Sequence, residues 1–377
     1  MMNKIIFFRL SLPLLIISGC QHYQAQDEGS ETTKNEGAEN IEIYHSKNNS
    51  KEKSIILISG DEEYRSEEAL PQLAKILATH HGFGCKVLFA QDPEKPGIIN
   101  PNYSSNITGM EEIAEADLMI LFTRFRALPN DQMQYLDNFL LEGKPLVGLR
   151  TATHAFNFKD TTNNYSHYSY NYKGKKSEWN KGFGKLILGE TWYTHHGHHK
   201  HQSTRGIIAP GAENHPLLNG IKDGSIWGPS DVYGIRVPLP GDAQHILLGQ
   251  SIDRAVEFDE KDPFFGMRES DETVSTITKQ GNSPAYNPNE NPPPIVWTKS
   301  YQIPNGKKGN SITSTIGSST DIMNEEVRRL IVNACYHLLE IEVPKHANVE
   351  LVGKYEPSAY QFHDNDYWIN KALKIDQ

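Results

Sequence analysis

The chain has 377 residues, of which 37% are hydrophobic, and it carries a formal net charge of −10 at pH 7. This length is enough for one large domain or two ordinary ones, and the modest apolar fraction predicts long polar loops around a normal core. The acidic balance argues against a nucleic-acid partner, because phosphate binding requires a basic face.

The N-terminus predicts a targeting segment. A basic and then apolar stretch runs through Leu10–Ile17 and ends in the letters ISGC, in which small residues precede Cys20. We expect residues 1–20 to be a lipoprotein signal peptide, with lipid attached at Cys20. The alternative is an ordinary secretory signal with an incidental cysteine. Gln21 is not the aspartate associated with inner-membrane retention, so the predicted location is the bacterial outer membrane or cell surface.

Polar sequence of low complexity comes next. Residues 21–53 contain too few apolar side chains to build a core, so we expect a flexible tether between the lipid and the domain. The predicted domain spans residues 54–342, and residues 343–377 are a C-terminal extension expected to pack on its surface. No apolar run beyond the N-terminus approaches the length of a membrane span.

Strands and helices alternate along the first half of the domain. Short apolar runs predict strands at Ser54–Gly60, Cys85–Ala90, Leu118–Thr123 and Pro145–Leu149. Helical periodicity predicts helices at Ser66–His80, Asn130–Glu142 and Asn324–Glu340. Further strands are predicted at Gly206–Ala209, Trp227–Tyr233, Gln244–Ser251, Pro294–Ser300 and Asn310–Ile316. This order favours an α/β fold built on a parallel sheet with long loop insertions.

Polar side chains follow three of these strands at their carboxyl ends, which is where open α/β sheets bind ligands. The predicted catalytic residues are Asp61, Glu63, Arg150 and His154. The predicted substrate-binding residues are Arg65, Arg124, Arg126 and Thr153, together with Trp192 and Tyr193 farther along the chain. Each cluster alone would be a solvated loop, but three clusters at one edge of a sheet indicate a site.

A dense histidine tract follows, with His195, His196, His198, His199 and His201 within seven residues. Neutral imidazole is the commonest protein metal ligand, and His-rich tracts are read as metal-binding candidates. The candidate metal ligands are His154, His195, His196 and His199, for one divalent ion, Zn, Mn or Ca. The alternative is an exposed loop whose imidazole rings bind carbonyls and stack on sugar. His154 is in addition a candidate general acid or base, or a side chain that only hydrogen-bonds its own turn.

Two further features leave alternatives open. The aromatic side chains of Asn157–Gly182 either bind sugar or hold a surface loop in place. Cys85 and Cys335 are either two separate buried thiols, which the apolar sequence around each favours, or a disulfide. There is no G-x-S-x-G motif, no P-loop and no G-x-G-x-x-G after a strand, so no nucleotide cofactor is expected.

Several motifs together resemble the trehalose-utilisation (ThuA-like) family, and in particular its secreted members from sugar-degrading bacteria. They are SGDEEYRSEE from Ser59, GLRTATHAF from Gly148, GETWYTHHG from Gly189, ENHPLL from Glu213 and PIVWT from Pro294, and the resemblance covers roughly residues 54–342. It implies a flavodoxin-like, class I glutamine-amidotransferase-like fold with helices on both faces. It also implies that His154 and His195 or His196 are the recurrent family histidines.

The resemblance also bears on function. Thr151–Thr153 stand where an amidotransferase has its nucleophilic cysteine, so a glutamine amidotransferase is excluded. Family members are linked to sugar catabolism, including routes through 3-keto-glycosides. The predicted function is a lipid-anchored enzyme that hydrolyses, eliminates or isomerises glycosides or keto-sugar derivatives. A non-catalytic sugar-binding lipoprotein is the alternative, and a purely structural surface protein ranks last because it leaves the charged strand ends unexplained.

Overall fold

The computed structural model describes residues 40–45, 53–279 and 284–375. The predicted signal peptide, its lipidation site Cys20 and most of the predicted tether lie outside these residues. Among the helices of the described residues, none is both long and apolar enough to span a bilayer.

In the described part of the chain, eleven strands form one sheet. They are β1 (Glu42–Tyr44), β2 (Ser54–Gly60), β3 (Gly84–Phe89), β4 (Leu118–Thr123), β5 (Leu146–Leu149), β6 (Gln202–Ile208), β7 (Ile226–Gly228), β8 (Gln244–Asp253), β9 (Thr273–Val274), β10 (Pro294–Tyr301) and β11 (Gly309–Ser314). Their order across the sheet is β1-β3-β2-β4-β5-β11-β10-β8-β6-β7, and β9 pairs with β8.

The sheet is mixed. Strands β3, β2, β4, β5 and β11 are parallel neighbours, whereas β10, β8, β6 and β7 continue the sheet in antiparallel pairs. The predicted α/β class is confirmed, but only half of the sheet is the open parallel sheet expected. The difference arises because the described residues between β6 and β10 contain no α-helix, and parallel pairing requires a long crossover, usually an α-helix.

Helices cover both faces of the parallel half. They are α1 (Ser66–His81), α2 (Asn130–Leu141), α3 (Glu325–Leu338) and the short α4 (Asn365–Lys371). In β2, Ile55 and Leu57 belong to the core cluster that contains α1 and α3, whereas Ile56 and Ile58 belong to the cluster that contains α2. This alternation, together with burial on both faces, is why the strand is almost entirely apolar.

Residues suited to helix termini stand at the end of α1 and at the start of α3. Gly82 ends α1 at a φ of 73°, and the Asn324 side chain caps α3 by accepting from the Val327 amide at 3.0 Å. Arg65, and not Ser66, occupies the N-cap position of α1. The Ser66 hydroxyl instead accepts a hydrogen bond from the Asp61 amide at 3.0 Å, which fixes the turn between β2 and α1.

At both ends, residues outside the predicted domain range of 54–342 pack against the core. Glu42–Tyr44 lie within the predicted tether, yet they form β1 and pair antiparallel with β3, because Ile41 and Tyr44 are buried against the core. In the C-terminal extension, Tyr360 and Trp368 are almost completely buried. The extension is therefore part of the core at these positions.

The aromatic segment Asn157–Gly182 is largely held in the core. Tyr168 and Trp179 are buried and lie 4.4 Å apart between ring centroids, and the Tyr168 hydroxyl donates to Asp137 at 2.6 Å. These side chains hold the loop in place and do not offer their faces to a sugar. Cys335 is a free buried thiol, so the alternative of a Cys85–Cys335 disulfide is not realised.

Arg65 and Glu67 form a buried ion pair with 3.6 Å between nitrogen and oxygen, and the Arg65 guanidinium lies 4.7 Å from the Trp368 ring centroid. Burial raises the pKa of Glu67 to about 7, although the charge of Arg65 opposes the shift. Between pH 4.5 and about 7 the folded protein therefore binds more protons at Glu67 than the unfolded chain does.

We predict that this carboxyl makes the free energy of unfolding fall as pH rises through that window, by up to about 1.4 kcal/mol per pH unit. Urea unfolding of the parent and of Glu67→Gln between pH 5 and 7 measures the effect. The stability advantage of the parent over the variant should shrink as pH rises. An advantage that grows with pH would contradict the assignment.

Candidate active site

Asp231 lies at the centre of the site, in the loop that follows β7. Its carboxylate is fully buried and lies 2.8 Å from His195 Nδ1 through Oδ2 and 2.9 Å from His199 Nδ1 through Oδ1. From the other side, Arg150 reaches Oδ1 at 3.2 Å and donates to the Asp231 carbonyl at 2.7 Å. One buried carboxylate thus connects two histidines to an arginine at the carboxyl end of β5.

Backbone pairing explains why His195 and Asp231 meet. His195 forms an antiparallel bridge with Tyr233, and the His196 amide donates to the Val232 carbonyl at 2.7 Å. Successive side chains in such a paired segment point to opposite sides. His195 therefore faces Asp231, whereas His196 Nε2 bonds the Pro288 carbonyl at 2.7 Å.

The charges of the cluster depend on one another. Burial alone would raise the pKa of Asp231, but the charge of His195 and the hydrogen bonds from His195 and His199 outweigh it and hold the pKa far below its ordinary range. Burial likewise acts to lower the pKa of His195, and the Asp231 charge outweighs it, so this pKa is raised. Burial prevails at His199 and lowers its pKa.

Among the described residues, one group could hold a metal ion. It consists of His195, His199 and Asp231, whose ligand atoms all lie within 4.8 Å of one another. His154 and His196 were also predicted as metal ligands, but neither belongs to this group. His196 points to the opposite side, and His154 belongs to an aromatic cluster. Two of the four predicted ligands are brought together, and a residue that was not predicted as a ligand, Asp231, completes the set.

Glu63 borders this cluster from the end of β2. Its Oε1 lies 3.5 Å from His199 Nε2 and its Oε2 lies 3.5 Å from Arg124 Nε. Burial raises the pKa of Glu63 to about 7, and the charge of Arg124 opposes the shift. A carboxyl group in such a setting is a candidate general acid or base.

Asp61 positions Glu63 and has no open face of its own. Its Oδ1 accepts the amides of Glu63 and Tyr64 at 2.6 Å each, and its Oδ2 accepts the Thr151 hydroxyl. Both oxygens of Asp61, which was predicted to be catalytic, are thus engaged in building the turn.

Arg150 was predicted to be catalytic as well, and it too has a positioning role. It sits at the strand-to-helix turn after β5 with a φ of 41°, and its guanidinium carbon lies 4.4 Å from the Tyr64 ring and 3.7 Å from the Tyr233 ring. It also donates to the Thr315 carbonyl at 2.6 Å. The backbone strain in this turn therefore lies at Arg150, and the Arg150 side chain orients Asp231.

His154 lies in an aromatic cluster beside the histidine pair. Its ring centroid is 5.0 Å from Phe125, 5.3 Å from Trp192 and 6.1 Å from Tyr233, and its Nδ1 is 3.2 Å from the Thr153 hydroxyl. Burial, reinforced by the charges of nearby arginines, lowers the pKa of His154 well below its ordinary value. The ring is consequently neutral at physiological pH.

Two of the predicted substrate-binding arginines have structural partners instead. Arg126 is 1% exposed and donates to the Pro101 carbonyl at 2.8 Å and to Glu62 at 2.6 Å. Arg65 is fully buried and donates to the Gln361 carbonyl at 3.0 Å. Buried guanidinium groups of this kind hold loops together.

The remaining predicted contacts divide between the site and the surface. Arg124 pairs with Glu62 and borders Glu63, and the Trp192 ring lies 5.8 Å from that of His195. Thr153 is buried against His154. Tyr193 is 43% exposed and stacks under Arg236 at 3.8 Å, so the described contacts place it outside the site.

Sequence reasoning missed Asp231, Tyr233 and Tyr64. Asp231 and Tyr233 were placed inside a predicted strand, but β7 ends at Gly228 and the two residues follow it. The signal was present in the letters GPSD, because a Gly-Pro pair breaks a strand and an acidic residue follows at its carboxyl end.

Solved structures similar to this chain include two proteins that are described as ThuA-like. No protein-family model and no curated protein matches the chain. A protein described as ThuA-like from Bacteroides uniformis is 16% identical with a TM-score of 0.43, and the match covers 80% of this chain and 97% of that one. A second, from Parabacteroides merdae, is 11% identical with a TM-score of 0.40, covering 84% and 99%. The chemistry of the site rests on the side chains described above.

We predict that Asp231→Asn lowers the pKa of His195 below its ordinary value of 6.5. Removing the carboxylate charge leaves burial as the dominant influence on the ring. NMR titration of the imidazole signals in buffer containing EDTA measures the change. His215, whose ring contacts His337 and not Asp231, should titrate unchanged. An unaltered pKa at His195 would refute the coupling.

Proposed function

We propose that this protein is a metal-assisted enzyme of carbohydrate catabolism that acts on glycosides or keto-sugar derivatives. The observation that carries the proposal is the sharing of one buried carboxylate, Asp231, by His195 and His199, with Glu63 3.5 Å from His199. This group lies at the carboxyl ends of parallel strands, where α/β folds place their active sites.

The donor set fits a divalent metal ion. Two imidazoles and one carboxylate are a common set of three protein ligands for a catalytic ion that keeps an open position. The two nitrogen donors favour Zn²⁺ or Mn²⁺ over Ca²⁺, because Ca²⁺ is held by about six to eight oxygens. An ion held by His195, His199 and Asp231 would polarise a carbonyl or hydroxyl oxygen of the substrate.

The chain's own groups supply proton transfer and orientation. Glu63 borders the ion-binding group without a short hydrogen bond to either neighbour, so it is the carboxylate placed to accept a proton from the carbon next to a sugar carbonyl. The Trp192 ring, which is only partly buried beside His154 and His195, offers apolar surface to the carbon–hydrogen face of a sugar ring. His154 and Tyr233 are buried and pack against it. Arg150 holds Asp231 in place from behind.

The choice of a sugar substrate is supported by the partly exposed Trp192 ring and by the resemblance to the ThuA-like family. A non-catalytic sugar-binding protein has less support, because the tyrosine-rich segment that suggested it is largely buried at Tyr168 and Trp179. We further propose that lipid at Cys20 anchors the protein to the bacterial outer membrane, so that its partners are the membrane and a carbohydrate.

Metal content tests the ion site. Tag-free full-length protein, replenished with Zn²⁺ or Mn²⁺ and analysed by elemental mass spectrometry, should hold about one equivalent. His195→Ala should lose most of this ion. His198→Ala is the matched control and should retain the ion. The His198 ring stacks on that of His201, with 4.2 Å between centroids, and His198 does not belong to the group of His195, His199 and Asp231. Equal loss in both variants, or none in either, would contradict the site.

Turnover tests the role of Glu63. With 3-keto-glycosides as substrates, we predict that Glu63→Gln lowers kcat by about 10²- to 10⁴-fold, because the variant cannot accept a proton, while metal content stays unchanged. Unaltered turnover in this variant would remove Glu63 from the mechanism. Absence of turnover of every glycoside and keto-glycoside by the metal-loaded parent would refute the proposed enzyme.

A further inference from the structure

The C-terminal segment 355–368 runs beside the candidate active site and is fastened to the domain along its length. The Glu68 carboxylate accepts the amide and the hydroxyl of Ser358 at 2.8 and 2.7 Å. The Tyr355 hydroxyl donates to the Ser319 carbonyl at 2.8 Å, and Trp368 packs under Arg65. These contacts fix the segment on both sides of residues 360–362.

Two aromatic side chains of this segment touch different parts of the site. Tyr360 is fully buried, stacks on Tyr64 with 5.1 Å between centroids and lies 5.4 Å from the His199 ring. Phe362, two residues later, is 56% exposed, and the Arg124 guanidinium lies 4.8 Å from its ring centroid. The segment therefore reaches from the candidate ion site to the arginine beside Glu63.

Arg124 is held between two phenyl rings. Its guanidinium carbon lies 4.6 Å from the Phe125 ring centroid and 4.8 Å from that of Phe362, while Nη1 pairs with Glu62 and Nε faces Glu63. An exposed phenyl ring by itself identifies nothing, because single exposed apolar side chains are ordinary. Its pairing with a half-buried arginine that borders a candidate catalytic carboxyl distinguishes Phe362.

We propose that Phe362 and Arg124 form a binding platform for a sugar unit of the substrate, so that the C-terminal segment determines substrate size. The phenyl face packs against the carbon–hydrogen face of a pyranose ring, and the guanidinium, which has five N–H donors, bonds its hydroxyl groups. This inference rests on the proposed function, because it takes the reacting sugar to lie beside Glu63 and His199. The platform then contacts the neighbouring unit of a glycoside.

Phe362→Ala in the full-length, metal-loaded protein tests the platform. For a 3-keto disaccharide, KM should rise about tenfold with kcat within about twofold, and Phe362→Trp should restore KM. For the 3-keto methyl glycoside, which lacks the second ring, KM should change little. Phe258→Ala is the matched control, since Phe258 is also exposed and stacked on an arginine, Arg254 at 5.2 Å, and it should leave both values unchanged.

Other outcomes separate the platform from the proposed enzyme. An equal rise in KM for both substrates, or a fall in kcat alone, would overturn the platform while leaving the enzyme intact. If the parent turns over neither substrate, calorimetric titration of the parent and of Phe362→Ala with the unmodified disaccharide decides whether the platform binds sugar. Binding weakened about tenfold in Phe362→Ala supports the platform without the enzyme, whereas equal binding, or none by the parent, overturns it.

Discussion

The buried carboxylate of Asp231 is the constraint on which the site depends. Removing a carboxylate from water costs several kcal/mol unless charges and hydrogen bonds compensate it, and removing one partner leaves the other buried and unpaired. Arg150 compensates the buried charge of Asp231 on one side, and His195 and His199 compensate it on the other. The positive φ of Arg150, strained for a side chain of this size, is therefore maintained by the contacts its guanidinium makes.

Buried arginines connect elements that are distant in the chain. Arg150 joins the end of β5 to the loops at Asp231 and Thr315, and Arg126 joins the end of β4 to the loop at Pro101. Arg65 joins the start of α1 to the C-terminal segment. Because these side chains hold the loops around the carboxyl edge, the groups that face the substrate stand on a rigid support, as a preorganised site requires.

Sequence patterns predict the parts of this architecture that depend on local periodicity. The strands of the parallel half, the apolar face of α2 and the gathering of polar groups at one sheet edge were all expected. Which polar group faces the site was not, because a strand-end arginine has the same sequence signal whether it bonds a backbone carbonyl, as Arg126 does, or borders the site, as Arg124 does. The letters GPSD place Asp231 after a strand, but its pairing with His195 and His199 depends on contacts between segments far apart in sequence. The same holds for the contact between Phe362 and Arg124.

Anomalous X-ray diffraction from crystals of the tag-free protein grown with Zn²⁺ tests the central claim most directly. The account predicts one strong peak about 2.0–2.2 Å from donor atoms of His195, His199 and Asp231. A peak found only at the neighbouring pair of His198 and His201, with Asp231 still hydrogen-bonded to both of its histidines, would contradict it.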